Sequence, residues 1–282
     1  MERVPPTLLV LLAVSSVQVG AALGKTLFDE IGPGGTVFLR VLAAAIVLGL
    51  VWRPRLKGHS SRELGLAIVF GLALAGMNLA FYASIDRIPL GIAVTFEFVG
   101  PLGVAVYGSR TPLDLLWVAL AAAGILLLSD FGAGDLDRAG VGLALLAGAF
   151  WAAYILLSVR VGQAFPGGSG LALGMLVATV PLAPVGIAEA GTDLWVPSIL
   201  LAAAGVGIMS SAIPYTLELE ALRRMPVGVF GVLMSLEPGV AALAGYVVLG
   251  EALVAREIAA IVLVVAASAG AARGASVALR DA

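Results

Sequence analysis

Residues 94–103 read VTFEFVGPLG. A carboxylate, Glu97, stands between Phe96 and Phe98 inside an apolar run, and Pro101 follows four residues later. At about 1.5 Å per helical residue, Glu97 lies roughly 12 Å below the start of a span that begins near residue 89, close to the middle of a bilayer. A charge at that depth costs at least ~2.5–3.5 kcal/mol on insertion scales, so the side chain should face a cavity, a partner or water. A carboxyl so placed is able to take up and release a proton. The alternative is a carboxyl that only fastens two helices.

Arg40, in TVFLRVLAAA, is the natural partner. It sits about 8 Å in from the end of its own span, at a depth close to that of Glu97. An arginine there either pairs with the carboxylate or snorkels to the interface. A second carboxylate, Glu237 in MSLEPGVAALAG, directly precedes Pro238 in another apolar run. Each proline removes a backbone donor and frees a carbonyl one turn earlier, so bends are expected at Pro101 and Pro238, where they serve as hinges. Loosened backbone at membrane depth is tolerated only where protein or a wet cavity satisfies it.

Aromatic and polar residues also leave their usual places. Interfacial belts put Trp and Tyr at helix ends; Trp52 and Trp195 comply, whereas Phe150, Trp151 and Tyr154 fall in mid-span. Tyr82 and Tyr215 are likewise internal, near Asn78 and MSSAIP (209–214). Singly, each fits helix packing; together with Ser15, Ser16 and Gln18 they favour a polar-lined cavity able to hold an ammonium by cation–π contact. The candidate substrate site is therefore Arg40, Asn78, Tyr82, Glu97, Trp151, Tyr154, Tyr215 and Glu237. The charges of ELEALRR (218–224) read as a solvated helix end. GAALGKT (20–26) resembles a phosphate loop but has three residues, not four, between its glycines, and suits close helix packing instead. No catalytic constellation, metal site or cofactor is expected from a chain with no cysteine and one histidine, His59, in a polar loop.

The elements that hold these residues follow from composition. The 282 residues are 61% hydrophobic and 12% charged, with a mean hydropathy of +1.08; soluble domains are about 45–50% apolar and about 25% charged. Apolar blocks of about 20 residues recur, each long enough to cross a hydrocarbon layer as a helix. Punctuation by Gly, Pro and charge places ten spans near 6–24, 35–52, 64–85, 89–108, 112–129, 140–160, 169–189, 196–219, 226–249 and 254–276. The first has some features of a cleaved signal peptide, but is read as a membrane helix because its loss would unpair the two halves.

Eleven basic residues fall on one side of these spans, against four (Lys25, Arg87, Arg138 and Arg256) on the other. The excess marks the cytoplasmic face and puts both termini there. The halves also match. RIPLGIAVTFEFVGPLGVA (87–105) aligns without gaps with RMPVGVFGVLMSLEPGVAA (224–242), pairing Arg87 with Arg224, Pro89 with Pro226, Gly91 with Gly228 and Pro101 with Pro238. Five spans per half force the second half to enter the membrane inverted, a transporter architecture with its site near midplane. The expected fold is all-α and polytopic: ten transmembrane helices as two inverted five-helix repeats, residues 1–133 and 134–282.

With NLAFYASIDRIPLGIAVTFEFVGPLGVAV (78–106) and SLEPGVAALAGYVVLGE (235–251), the chain resembles drug/metabolite transporters of the EamA type, and most of all their threonine/homoserine exporter branch. The resemblance implies a bacterial inner-membrane protein exporting amino acids or related metabolites through a cavity between the halves. The expected activity is secondary export of neutral amino acids by alternating access, with protons as possible co-partners and no nucleic acid involved. A multidrug exporter on the same fold and a passive channel are the alternatives.

Overall fold

A computed structural model describes residues 4–55, 58–108, 116–117, 119–121, 123–124, 127, 136–222, 224–225, 230 and 233–278. Helix is found in each of the ten expected spans, and among the described residues there is no strand. An apolar backbone in lipid has to bond to itself, which an α-helix does within one segment.

The helices are α1 (Pro6–Lys25), α2 (Phe28–Trp52), α3 (Ser61–Ile85), α4 (Leu90–Glu97), α5 (Val99–Gly108), α6 (Arg138–Ala164), α7 (Ser169–Ala190), α8 (Pro197–Gly207), α9 (Ile213–Leu222), α10 (Glu237–Ala244) and α11 (Ala255–Ala278). Among the described residues, six runs are long and apolar enough to cross a membrane: α1, α2, α3, α6, Ser169–Trp195 and Pro197–Glu218. Their outer faces carry bare apolar side chains such as Leu50, Val180 and Leu201, as lipid-facing surfaces do. Local chemistry sets the ends. Ser60 and Glu63 form a capping box at the start of α3, and Asp137 accepts from the amides of Ala139 (2.7 Å) and Gly140 (3.1 Å) to start α6.

Several spans are not the straight helices that periodicity predicts. The expected fourth span is two helices that meet at Phe98, three residues before Pro101. The ninth breaks at Ser235–Leu236, just before Glu237 and Pro238. The eighth, expected as one helix over 196–219, contains a π-helical turn at Ile208–Ala212 between α8 and α9. A second π turn, Gly245–Leu249, follows α10. Helix α2 begins earlier than expected: a first turn from Phe28 is followed by Gly32 at φ 68°, ψ 169°, and only then does the long helix run on from Pro33. The positive φ suits the glycine.

The two halves interleave. Helix α2 lies along α7, α3 lies along α6 and α7, and α1 runs beside α9 and α10. Small residues permit the close approach. Phe38 covers Gly186, Phe70 covers Gly174, and Phe150 covers Gly76. Gly20 sits against Ser210 and Gly24 against the Tyr82 hydroxyl, so the glycines of the false phosphate loop are packing positions. The described residues of the fifth span lie on α11, where Trp117 covers Gly270. One apolar cluster joins α2, α3 and α7 around Phe70, Leu74 and Tyr82. A second surrounds α4, whose residues Leu90–Glu97 are all buried.

Candidate functional site

The candidate carboxylates Glu97 and Glu237 sit where helices are broken. Pro101 has no N–H, so the carbonyl one turn earlier, that of Glu97 itself, loses its intrahelical partner. Gly148 of α6 lies so close to this carbonyl that a Cβ there would come within 2.5 Å of it. Gly100 is equally tight against the carbonyl of Gly148, at 1.9 Å from a hypothetical Cβ. Only two glycines allow the backbones to cross here. The break at Phe98 is thus clamped by α6, and it leaves the Glu97 side chain inside the protein at 7% exposure. Glu97 does not face lipid.

Arg40 does not snorkel. It is 5% exposed, its Nη1 donates to Ser210 Oγ at 2.9 Å, and its guanidinium carbon lies 4.8 Å from the centre of the Tyr82 ring. Ser210 belongs to the π turn, and its hydroxyl donates a hydrogen bond to the Val206 carbonyl at 2.6 Å, which leaves its oxygen free to accept from Arg40. The same turn is tied to α1 by Ser16 Oγ, which donates to the Met209 carbonyl at 2.6 Å. The other expectation for Arg40 is a direct pair with Glu97. Among the described residues no ion pair joins them, and the arginine's charge acts on Glu97 through space. Its contact partners are Ser210 and the Tyr82 ring.

Around this pair lies a wider polar cluster. Arg40 also acts on Tyr215, which in turn feels Glu97, Glu218 and Glu237. Glu237, 4% exposed, interacts with Glu218 and Glu97. Tyr154 stacks on Phe70 with centroids 5.2 Å apart and approaches Tyr215 at 6.3 Å. Trp151 meets Phe98 edge-on at 5.2 Å, directly at the break. Asn78 is the exception among the candidates: it is buried, and its Nδ2 donates to the Leu74 carbonyl of its own helix at 2.8 Å.

The reading of residues 218–224 as a solvated end needs correction at Glu218. That carboxylate is only partly exposed and interacts with Tyr154 and Glu237, whereas Glu220 pairs with Arg224 at 3.2 Å. Both lie on α9, two residues apart, so they point to opposite sides of the helix. The helical period placed Glu218 on the face of Tyr215, three residues earlier, and that was the available signal. Ser210 gave no comparable signal, because nothing in MSSAIP distinguishes it from its neighbour.

Two polar atoms at the centre are buried without a hydrogen-bond partner: Arg40 Nε and the Tyr82 hydroxyl oxygen. Buried polar groups are normally paired, so an orphan among them calls for an explanation, a ligand or water being one. A guanidinium N–H and a phenol O–H, both unpartnered on residues in ring contact, suit a carboxylate, which accepts from either.

Comparison with known proteins gives the family. The threonine/homoserine exporter RhtA of Salmonella typhimurium (strain LT2) is 44% identical over 268 residues, covering 94% of this chain and 90% of the relative. RhtA of Escherichia coli (strain K12) is 42% identical over the same coverage. The chain belongs to the EamA-like transporter family. The family profile itself matches residues 138–273, and the full-length identity places the chain in the threonine/homoserine exporter branch of the drug/metabolite transporters. A crystal structure superposes with a TM-score of 0.66 at 20% identity, covering 94% of this chain and 95% of its own, which shows the same fold in a distant protein. An EamA-like chain is a multi-pass membrane transporter. Its relatives are exporters, and none of those compared is described as an enzyme.

Proposed function

We propose that this EamA-like transporter exports small neutral amino acids, threonine and homoserine foremost, around the midplane cluster just described. The observation that carries the reading is the pair of unpartnered donors, Arg40 Nε and the Tyr82 hydroxyl, with Glu97 buried within reach of the same positive charge. A zwitterion needs both signs in a low-dielectric site. Arg40 and Tyr82 receive its carboxylate, Glu97 receives its ammonium, and Trp151, Tyr154 and Tyr215 supply aromatic faces. Glu237 and Glu218 complete the wall, so the site is asymmetric, as an asymmetric ligand requires. The names of the relatives support the cargo and the direction.

Alternating access follows from the two repeats, residues 1–133 and 134–282, rocking against each other about Pro101 and Pro238. Both termini lie in the cytoplasm, in the orientation that the basic residues favour. A proton carried by Glu97 exchanges for the amino acid.

Counterflow of labelled threonine in proteoliposomes tests this directly, with and without a pH gradient. Saturable counterflow that Glu97→Gln makes insensitive to pH is the expected result. Dye efflux without amino-acid counterflow would replace the reading by multidrug export, and non-saturating flux would replace it by a channel.

A further inference from the structure

A second feature lies away from the midplane cluster, at the end of the bundle that carries Arg53 and Arg55. Between the first turns of α3 and the last turns of α6 is an open groove of about 580 Å³, lined by Arg62, Glu63, Gly65, Leu66, Val69, Leu157 and Arg160. Its chemistry changes sharply with depth. Arg62 and Arg160 are exposed at the mouth. Glu63 lines the same groove and offsets one of the two charges, but its carboxylate is held back toward Ser60 by the capping box, where Oε2 accepts from the Ser60 amide at 2.7 Å and from the Ser60 hydroxyl at 2.8 Å, so the mouth keeps a net positive charge. The positive end of α3 points to the same place. Below the arginines, Gly65 opens the wall, with nothing within 4 Å of where its Cβ would be. Leu66, Val69 and Leu157 then line an apolar channel that continues into the lipid-facing side chains Ile68 and Leu72.

We infer that this groove binds one anionic phospholipid, its phosphate between Arg62 and Arg160 and an acyl chain lying over Gly65 along Leu66, Val69 and Leu157. Two cations over an apolar slot at the membrane edge match a phosphodiester over hydrocarbon in both charge and polarity. Basic pockets between transmembrane helices on the cytoplasmic side have this character. The inference does not depend on the transported substrate.

Native mass spectrometry of the full-length protein in detergent, titrated with phosphatidylglycerol or phosphatidylcholine, tests it. The wild type should retain one phosphatidylglycerol in preference to phosphatidylcholine, with each arginine contributing roughly fivefold. Arg62→Ala/Arg160→Ala should abolish the preference, and Arg87→Ala/Arg138→Ala, at the opposite end, should keep it. Gly65→Phe fills the slot without touching charge and should also lose the retained lipid. Equal retention of the two lipids by the wild type, or unchanged retention in Arg62→Ala/Arg160→Ala, would overturn the site. Loss in the arginine variant but not in Gly65→Phe would reduce it to surface charge and overturn the groove. Competition by glycerol phosphate alone, at concentrations equal to the lipid, would do the same.

Discussion

The two helix breaks occupy matching places in the two halves, and they use their carboxylates differently. At the first, Glu97 closes α4, and the turn at Phe98 separates it from α5. At the second, Glu237 opens α10 after the turn at Ser235–Leu236. Pro101 and Pro238 align, yet the acid has moved from the last residue of one half-helix to the first residue of the other. A negative charge is opposed at a helix C-terminus and favoured at an N-terminus. Arg40 is the positive charge that acts on Glu97, while Glu237 stands in the first turn of its own helix. Symmetric scaffolding thus carries one acid that faces a cation from another helix and one that stands at the start of its own helix.

The largest expected effect comes from removing that partner. Arg40→Met strands Glu97 in a buried site, and loss of one member of a buried charge set costs about 3–5 kcal/mol. Thermal unfolding in detergent should fall accordingly, and Arg40→Met/Glu97→Gln should recover part of the loss. No recovery would mean that the two charges are not coupled. Next, Glu97→Gln should lower threonine counterflow at least tenfold, about 1.4 kcal/mol, and flatten its pH dependence between pH 5.5 and 8, with the fold intact by gel filtration. A smaller, purely structural effect is expected at the clamp. Gly148→Ala forces a methyl onto the Glu97 carbonyl and should cost about 1–3 kcal/mol, whereas Gly142→Ala, on the same helix with open space beside it, should leave the melting temperature unchanged. The smallest is Glu237→Gln. An interaction with a helix N-terminus is worth about 0.3–1 kcal/mol, so counterflow should drop only two- to fivefold; a drop as deep as that of Glu97→Gln would erase the difference between the breaks.

Much of this was legible from residues alone. The ten spans and the burial of Glu97 and Glu237 follow from the cost of polar groups in hydrocarbon. The exact break points were less so. Pro101 signals a bend, but the turn falls at Phe98 because Gly148 and Gly100 let α6 press against the backbone there, and such a contact has no local trace. Long-range ties were invisible for the same reason. Lys25 pairs with Glu251 at 2.7 Å, and the other oxygen of Glu251 accepts from the Leu90 amide at 2.8 Å, which joins the end of α1, the start of α4 and the segment after α10. Glu189 likewise accepts from the Gly34 amide at 2.6 Å, beside the bend in α2. Each of these acids looks like an ordinary helix-end charge in the sequence.

The π turn at Ile208–Ala212 has a consequence for evolution and engineering. A π turn is a one-residue insertion absorbed without breaking the rod, and everything after it is rotated by about 100° relative to an uninterrupted helix. Deleting a single residue from 208–212 would restore the regular pitch and swing Tyr215 and Glu218 together off their present face, so a change that leaves every span's length and hydropathy almost untouched would re-aim one whole side of the buried polar cluster.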